Sequence, residues 1–257
     1  MLYFCGMKVT LVQMDIAWEA AEANRQTAEK AILAAEKSDL YVLPEMWNTG
    51  VTAEPMGVAE SENGETLAWM QRMANQLDAA IAGSIAIKAN DGTYRNRLYF
   101  VKPDEVQFYD KHHLFAYGGE TEHYSPGNER VIVTWRDVRF RLCTCYDLRF
   151  PLWLRNRDDY DALICVASWP SIRMHAWRVL LCARAIENQC YVLGVNRIGE
   201  DPACEYSGGT AIVDPYGMPT ICPEGEATVV TKEFDMKRLK NFRKKFPVLK
   251  EIDQSDC

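Results

Sequence analysis

The chain has 257 residues, 48% of them hydrophobic, and a net charge of -7 at pH 7. A chain of this length can bury a large core, and its excess of acidic residues excludes nucleic acid as the main partner, because binding a polyanion relies on clustered Lys and Arg. Nine cysteines, an odd number in a long chain, exclude a small disulfide-bonded secreted scaffold.

The sequence shows no signal peptide, no apolar run long enough to span a membrane and no C-x-x-C pair. We therefore expect a protein of the reducing cytoplasm that binds no membrane, no metal and no cofactor. No linker or repeat interrupts the chain, which predicts a single domain over residues 1–257, with a core at about 8–234 and a C-terminal helix and tail at 235–257. Residues 1–6 fit no pattern, so translation could begin at Met7.

The first half of the chain alternates strands and helices. The predicted elements are a strand at residues 8–13, a helix at 19–37, a strand at 39–45, a helix at 65–78, a hairpin of strands at 79–88 and 97–101, and a strand at 131–135. Pro44 ends the second strand, so Glu45 stands just past a strand end, where open sheets place working side chains. The Gly-rich segment 116–128 is predicted to be a long loop, and loops of this length in compact domains are usually functional.

The segment around Cys145 predicts a sharp bend between a strand and a helix. Residues 138–143 alternate apolar and polar side chains, which is the period of a half-buried strand, and Pro151 fits the first turn of a helix. A helix N-terminus and nearby cations lower the pKa of a cysteine from about 8.5 towards neutrality, so Cys145 could act as a nucleophile. Free cysteines are more often buried small hydrophobes, and spacing alone leaves that alternative open.

The second half of the chain repeats the alternation. The predicted elements are a buried strand at residues 162–167, a helix at 171–188, and strands at 191–196, 210–213 and 227–234. One stripe of the helix is apolar and consists of Ile172, Ala176, Val179, Ala183 and Ile186. This mixture of strands and helices predicts a layered α/β protein in which helices cover a sheet or sheets.

Three charged residues at strand ends or in loops could face Cys145: Glu45, Lys111 and Glu120. One carboxylate could accept the thiol proton, the ammonium group could stabilise the oxyanion of a tetrahedral intermediate, and the second carboxylate could position the base or the leaving group. Together they would form an acyl-transfer site without histidine. Single Glu and Lys residues are usually ordinary solvated side chains, so the residues alone leave this interpretation open.

Three motifs resemble those of the nitrilase, or carbon-nitrogen hydrolase, superfamily in their order and spacing. They are Leu43-Pro44-Glu45, Tyr109-Asp110-Lys111-x-His113-Leu114-Phe115 and Cys145-Tyr146-Asp147-Leu148-Arg149-Phe150-Pro151. The likeness extends from Lys8 to about Phe234. The resemblance implies a four-layer α-β-β-α sandwich and a homodimer formed through helices.

The resemblance also implies a role for each motif. The roles are those of a catalytic triad and its oxyanion hole: Cys145 as nucleophile, Glu45 as general base, Lys111 as oxyanion stabiliser, and the Tyr146 N–H as second oxyanion donor. The second glutamate of the family matches Glu120 best, although Glu122 lies close in the sequence.

The motif at Cys145, followed by Ser168-Trp169-Pro170, resembles the omega-amidase branch of the superfamily. That branch hydrolyses 2-oxoglutaramate and 2-oxosuccinamate to the oxo acid and ammonia. The resemblance therefore implies that the partners are a small-molecule amide and water. Other amidases, N-carbamoyl hydrolases and nitrilases are the alternatives within the superfamily, and a catalytically silent binding or scaffold protein is the alternative from another class.

The candidates for substrate binding are Trp169, Phe115 and Arg173. An omega-amido oxo acid carries a carboxylate remote from the scissile amide, and the planar fork of arginine binds a carboxylate bidentately. Arg173 is the preferred partner because it lies in the first turn of a predicted helix, whose N–H groups also favour an anion. We expect Arg149 to anchor the bend through a salt bridge instead.

The histidines have weaker claims to a catalytic role. His175 could form a papain-like pair with a cysteine, but no Asn or Asp that would orient it is identifiable. His113 is expected to be a structural hydrogen-bonding residue within the Lys111 motif.

Overall fold

The computed structural model describes residues 6–251, so predictions about residues 1–5 and 252–257 lie outside the described part of the chain. The strands are β1 (Lys8–Gln13), β2 (Leu40–Val42), β3 (Glu60–Ser61), β4 (Ala80–Lys88), β5 (Tyr94–Val101), β6 (Val106–Asp110), β7 (Ile132–Trp135), β8 (Val138–Thr144), β9 (Ala162–Ala167), β10 (Tyr191–Asn196), β11 (Ile198–Glu200), β12 (Glu205–Ser207), β13 (Ala211–Val213), β14 (Pro219–Ile221) and β15 (Thr228–Glu233). The α-helices are α1 (Ala21–Ala34), α2 (Glu65–Leu77), α3 (Glu120–His123), α4 (Pro151–Leu154), α5 (Met174–Glu187) and α6 (Met236–Lys245). Short 3-10 helices cover Pro55–Gly57, Ala116–Gly118, Cys145–Arg149, Ser171–Arg173 and Val248–Lys250. Within this described part, every helix is too short or too polar to cross a bilayer.

The strands form two large sheets and one separate hairpin. The first sheet has the order β15-β1-β2-β4-β5-β6, with β3 beside β4, and the second has the order β14-β13-β10-β9-β8-β7. The centre of each sheet is parallel, because β1, β2 and β4 run in one direction, as do β8, β9 and β10. Parallel neighbours need crossover connections, and α1, α2, α4 and α5 lie in those connections.

The two sheets face each other across an apolar layer. Leu11, Val42 and Phe100 of the first sheet meet Phe140 and Ile164 of the second in one buried cluster. The opposite face of the first sheet packs against α1 and α2, and that of the second sheet packs against α5. Each fully buried Leu, Ile or Phe contributes roughly 1.5–3 kcal/mol, so these layers are the main source of stability. The implied four-layer α-β-β-α sandwich is confirmed.

Helix α5 has two faces with different surroundings. Its buried face carries Trp177 and Leu181, which belong to the apolar cluster on the outer side of the second sheet. The apolar stripe predicted from the sequence lies on the other side. Ile172, in the 3-10 helix just before α5, is 88% exposed, and Val179 and Ile186 are 51% and 56% exposed. Within the stripe, Ala176 packs against the core cluster, so most of the stripe faces away from the core.

Two local predictions differ from the structure. Strand β8 is buried on both faces rather than half-buried, because Arg141 and Cys143 are fully buried. Arg141 is accommodated without a carboxylate: its Nη1 donates to the Leu142 carbonyl at 2.8 Å, and its guanidinium lies 5.2 Å from the ring centre of Trp153. The segment 116–128 is not a plain loop, because it contains a 3-10 helix and α3.

Candidate active site

Strand ends from both sheets meet at one place in the sandwich. Glu45 follows β2 of the first sheet, while Cys145 and Ser168 follow β8 and β9 of the second. The carboxyl ends of parallel strands are the usual position of working side chains in α/β sheets. The Ser168 N–H donates to Glu45 Oε2 at 2.9 Å, and Ser168 Oγ donates to the Glu45 carbonyl at 3.2 Å. These bonds join the two sheets beside Cys145.

The bend that carries Cys145 has a strained backbone. Cys145 has a φ of 46°, in the left-handed region that residues other than glycine rarely adopt. The Asp147 side chain accepts the Thr144 N–H at 3.0 Å and so closes the turn. From α5, Arg184 Nη2 donates to the Leu148 carbonyl at 2.6 Å. The predicted sharp bend is present, and contacts on both sides hold it in place.

Asp147 joins this bend to the segment that carries Lys111. Its carboxylate accepts the Tyr109 hydroxyl at 2.7 Å and the His113 N–H at 2.9 Å, and His113 Nδ1 lies 2.9 Å from the same carboxylate. Burial acts to raise the pKa of Asp147, but these hydrogen bonds outweigh it and hold the pKa below its ordinary value. The structural role predicted for His113 is confirmed, whereas His175 is exposed on α5 and does not line the cavity described below.

Three charged side chains are buried together beside Cys145. Lys111, Glu45 and Glu120 are 2%, 1% and 4% exposed. Lys111 Nζ donates to Glu45 Oε1 at 2.9 Å and to the two oxygens of Glu120 at 3.1 and 2.8 Å. Burial acts to lower the pKa of Lys111, but the two carboxylates outweigh it and hold the pKa well above its ordinary value, so the side chain is a permanent cation. Glu122, the alternative second glutamate, is exposed to solvent.

Two further donors hold the carboxylates in place. Asn96 of β5 is 1% exposed, and its Nδ2 donates to Glu45 Oε1 at 2.8 Å and to Glu120 Oε1 at 3.2 Å. The Phe115 N–H donates to Glu120 Oε2 at 2.6 Å. Such partners are needed because an unpaired buried charge is costly. Asn96 was not among the residues predicted from the sequence; the signal that could have indicated it is a single amide side chain in a strand that becomes apolar after Arg97.

The thiol of Cys145 is a weaker acid than we predicted. Burial first, and then the Glu45 carboxylate, raise the pKa of Cys145 well above its ordinary value, while Lys111 acts in the opposite direction. The prediction of a pKa near neutrality is therefore wrong for the resting site, because desolvation and two carboxylates outweigh one lysine and one short helix. The thiol therefore keeps its proton in the resting site, and Glu45 is the carboxylate that acts most strongly on it.

A cavity of about 600 Å³ opens beside this thiol. Its volume is within the range of roughly 300–1,000 Å³ found for small-molecule sites. The catalytic and substrate-binding candidates from the sequence all line it: Glu45, Lys111, Phe115, Glu120, Cys145, Tyr146, Trp169 and Arg173. As the second residue of a 3-10 helix, Tyr146 has an N–H without an acceptor within that helix. Among residues 6–251, no group of three or more His, Cys, Asp or Glu side chains is arranged to hold a metal ion.

One side of the cavity consists of aromatic rings and two arginines. The Arg173 guanidinium lies 5.4 Å from the ring centre of Phe115, and that of Arg149 lies 4.9 Å from the ring of Trp169. Trp169 Nε1 donates to the Arg173 carbonyl at 3.0 Å, and the Phe115 and Tyr146 ring centres are 5.1 Å apart. We call this set the cationic wall, and it consists of Phe115, Tyr146, Arg149, Trp169 and Arg173.

Arg149 differs from its prediction. It is exposed and lines the cavity, and it forms no ion pair with a carboxylate in the described part of the chain. The prediction that Arg149 anchors the bend through a salt bridge is therefore wrong. Contacts of Asp147 and Arg184 hold the bend instead. Arg149 and Arg173 both present a guanidinium group to a ligand in the cavity.

Sequence analysis also missed the side of the cavity formed by the β11–β12 hairpin and Trp18. Tyr206 of this hairpin lines the cavity and donates its hydroxyl to Asp201 at 2.6 Å. Beneath it, Arg197 is fully buried and donates to the Ile16 and Glu200 carbonyls, each at 3.0 Å. These contacts join segments far apart in the chain, so no local pattern could reveal them.

A four-layer sandwich with a thiol, a carboxylate and an ammonium group around one cavity is the architecture of a thiol-dependent hydrolase. The family model described as carbon-nitrogen hydrolase matches residues 8–244. The chain therefore belongs to the carbon-nitrogen hydrolase family, as the resemblance implied, and it is a hydrolase that acts on amides.

Curated relatives and solved structures agree with this assignment. The chain is 40% identical over 252 residues to the omega-amidase YafV of Escherichia coli K12, covering 97% of this chain and 98% of that protein. It is 33% identical over 253 residues to the 2-oxoglutaramate amidase of Bacillus subtilis 168, covering 95% and 96%. The crystal structure of XC1258 from Xanthomonas campestris, a CN-hydrolase superfamily protein with an arsenic adduct in its active site, superposes with a TM-score of 0.93 at 38% identity, covering 97% and 98%.

Proposed function

We propose that this enzyme is an omega-amidase that hydrolyses the terminal amide of small omega-amido 2-oxo acids, such as 2-oxoglutaramate and 2-oxosuccinamate, to the oxo acid and ammonia. The similarity to an omega-amidase and a 2-oxoglutaramate amidase over nearly the whole chain supports this substrate class. The observation that carries the proposal is that one cavity holds Cys145 and Glu45 together with two arginines that pair with no carboxylate of residues 6–251. Cys145 and Glu45 would act on the amide group of the substrate, and an arginine would bind the carboxylate at its other end.

In the acylation step, Cys145 Sγ attacks the amide carbon while Glu45 takes the thiol proton. The oxyanion that forms accepts hydrogen bonds from the Tyr146 N–H and from Lys111 Nζ. When the intermediate collapses, Glu45 gives its proton to the leaving nitrogen, so ammonia departs and a thioester remains. Glu45 lines the same cavity as Cys145 and is the carboxylate that most strongly raises the pKa of its thiol, which supports this assignment.

In the deacylation step, water replaces ammonia. Glu45 takes a proton from the water molecule, the resulting hydroxide adds to the thioester carbon, and the second intermediate expels the Cys145 thiolate. Glu45 then returns its proton to the thiolate, which restores the starting state. One carboxylate therefore acts as base and acid in both halves of the reaction.

Lys111 and Glu120 keep the charged groups around Glu45 in position during the two proton transfers. The Lys111 ammonium donates to Glu45 and to both oxygens of Glu120 in the resting site. Oxyanion formation requires at least one of these bonds to lengthen, and Glu120 retains the ammonium group meanwhile. Glu120 is thus assigned the positioning of Lys111 rather than a proton transfer.

The substrate carboxylate binds at the cationic wall. Arg173 was the preferred arginine from the sequence. It is the last residue of the 3-10 helix Ser171–Arg173, and its guanidinium lies beside the Phe115 ring. Arg149 is a second candidate because it also lacks a carboxylate partner in the described part of the chain. A guanidinium stacked on an aromatic ring is pre-organised for a planar carboxylate.

The test is ammonia release from a panel of compounds. We expect 2-oxoglutaramate and 2-oxosuccinamate to be hydrolysed fastest, ahead of glutamine, asparagine, a neutral short-chain amide, a nitrile and an N-carbamoyl amino acid. Fastest turnover of a nitrile or of an N-carbamoyl amino acid would reject the omega-amidase assignment. Absence of acyl transfer to hydroxylamine with every compound would indicate a silent relative instead.

We also propose that the enzyme is a homodimer associated through the exposed face of α5. Val179 and Ile186 on α5 and Ile172 just before it support this proposal, because they are exposed apolar side chains at a helical spacing of seven residues, and exposed apolar patches commonly mark an interface. Light scattering should show a dimer that Val179→Asp disrupts. Leu33→Asp on α1, where the wild-type side chain is 50% exposed, is the matched control. A fully active wild-type monomer at assay concentration would contradict the proposal.

The expected setting is a reducing cytoplasm, and the expected unit is a single hydrolase domain. The cysteines of the described residues are all free, including those at the surface of the cavity, which supports a reducing compartment. Cell fractionation with an antibody against the native protein tests the location.

A further inference from the structure

Asn96 occupies a position that the proposed reaction does not yet explain. It lies on β5, is 1% exposed and donates from a single Nδ2 atom to Glu45 Oε1 and to Glu120 Oε1. Lys111 Nζ donates to the same two oxygens. The two carboxylates are therefore bridged twice, once by a cation and once by a neutral amide.

The charges of the cluster explain why a neutral donor is useful there. Two carboxylates share one ammonium group, so the cluster holds more negative than positive charge in a buried site where charges interact strongly. A second lysine would remove the excess but would compete with Lys111 for Glu45. An amide attracts both carboxylates without adding a charge, and it leaves Lys111 as the cation nearest the thiol.

The orientation of the Asn96 amide is fixed by its surroundings. A flipped side chain would place Oδ1 against two carboxylate oxygens, which is repulsive. In the orientation observed, Oδ1 is buried without a hydrogen-bond partner among the described residues. An unpaired buried acceptor is unfavourable, so the two bonds from Nδ2 to the carboxylates are the contacts that stabilise this orientation.

The contacts also fix the orientation of Glu45. Its Oε1 accepts from Asn96 and Lys111, and its Oε2 accepts from the Ser168 N–H. The carboxylate cannot rotate without breaking bonds on both oxygens, so its orientation in the cavity that it shares with Cys145 is fixed. If Asn96 were absent, Lys111 alone would define the position of Oε1, and Lys111 must move during the reaction.

We propose that Asn96 is a positioning residue for the proton transfer between Cys145 and Glu45. It holds the Glu45 and Glu120 carboxylates at a fixed position relative to each other when Lys111 turns towards the oxyanion. It does not touch the reacting atoms. This inference rests on the proposed Cys145–Glu45 chemistry, but it is independent of which amide is the substrate.

The test uses the full chain and iodoacetamide, a probe that alkylates a cysteine at its methylene carbon in a step separate from amide hydrolysis. The Cys145 sulfur attacks the methylene carbon, iodide leaves, and Glu45 accepts the thiol proton. Mass spectrometry of the peptide containing Cys145 gives the rate, and Cys145→Ala gives the background from other cysteines. The variants are Asn96→Ala and Asn96→Leu, the second of which retains the side-chain volume.

We expect both variants to lower the Cys145 alkylation rate and kcat for 2-oxoglutaramate by about ten- to a hundredfold, with KM changed by less than about threefold. The matched control is Asn156→Ala. Asn156 is also a fully buried amide, and it donates to the Tyr160 and Asn188 carbonyls, but it does not line the cavity. This control should lower thermal stability without slowing alkylation of Cys145.

Wild-type alkylation rates in both Asn96 variants would overturn the inference, and so would an equal slowing in Asn156→Ala, because that would indicate general loosening. If Asn96→Ala fails to fold, Asn96→Leu decides the outcome. Alkylation that depends on Asn96, in an enzyme that releases no ammonia from any omega-amido oxo acid, would reject the proposed substrate and retain the inference.

Discussion

The cavity has two sides that differ in burial and in how their charges are paired. Beside the thiol, Glu45, Lys111 and Glu120 are nearly inaccessible, and each is hydrogen-bonded to another charged group. In the cationic wall, Arg149 and Arg173 are more accessible and rest on aromatic rings rather than on carboxylates. The charges of the first region are paired with one another, whereas the two arginines of the second pair with no carboxylate of residues 6–251.

This difference separates chemistry from recognition. A buried cluster whose charges are already hydrogen-bonded needs little reorganisation free energy during the reaction, because its dipoles and charges are already in place. Cations without an anion favour a charged ligand and contribute little to the bond-breaking step. Changes beside the thiol should therefore lower kcat, and changes in the wall should mainly raise KM.

The largest effect is expected from Cys145→Ala, which removes the proposed nucleophile. Turnover should fall by about 10⁶-fold, as for loss of a covalent nucleophile elsewhere, while circular dichroism shows an unchanged fold. Cys143→Ala is the matched control, because Cys143 is fully buried two residues earlier and should leave turnover nearly normal. An inactive Cys143 variant beside an active Cys145 variant would mean that the nucleophile has been misplaced.

The next largest effects are expected from the charged partners of the thiol. Glu45→Gln retains the shape but removes the base, so kcat should fall by roughly 10²- to 10⁴-fold. Lys111→Met removes an oxyanion donor and should cost roughly 10²- to 10³-fold, with a lower melting temperature because two buried carboxylates lose their cation. Steady-state kinetics and thermal melts measure both. A near-normal rate in either variant would refute its role.

A smaller and selective effect is expected in the cationic wall. Arg173→Ala should raise KM for 2-oxoglutaramate by about tenfold or more, since a charge-assisted bidentate contact is lost. The KM for a neutral short-chain amide should hardly change. Arg149→Ala, measured in parallel, shows which arginine binds the carboxylate. Equal losses on both substrates would place Arg173 among the residues that support the fold.

The smallest effect is expected at Asp147, which joins the Cys145 bend to the segment that carries Lys111. Its pKa is lower in the folded protein than in the unfolded chain, so its contribution to stability is present above the unfolded pKa, about 3.9. That contribution is lost as the pH falls through the folded pKa. The melting temperature of the wild type should therefore drop more steeply below about pH 4 than that of Asp147→Asn. Parallel slopes would contradict this account.

The sequence predicted the buried side of the site much better than the wall. Glu45 follows a strand stopped by proline, and Cys145 lies between a strand and Pro151, so local patterns placed both at strand ends. The motifs at Lys111 and Glu120 completed the set through their resemblance to a family. Strand β1 and strand β10 were also placed at their observed bounds, because continuous apolar runs define buried parallel strands.

What the sequence could not provide depends on tertiary contacts and on burial. The pKa of Cys145 was predicted in the wrong direction, because the number of carboxylates near the thiol is set by packing between the two sheets. Arg149 was expected to form a salt bridge, yet its guanidinium rests on Trp169. The stripe on α5 is periodic, but periodicity does not say whether an apolar face meets the core or solvent.

The burial of Lys111 has a consequence for how the enzyme responds to dissolved ions. Salt screens exposed charges over about 10 Å at 0.1 M ionic strength, and it acts much less on buried pairs. Lys111 is 2% exposed, whereas both arginines of the cationic wall are more accessible, Arg173 being half-buried and Arg149 exposed. Rising ionic strength should therefore weaken the capture of an anionic substrate and leave the rate of the chemical step almost unchanged, so a salt-stressed cell could recover full flux by accumulating more substrate.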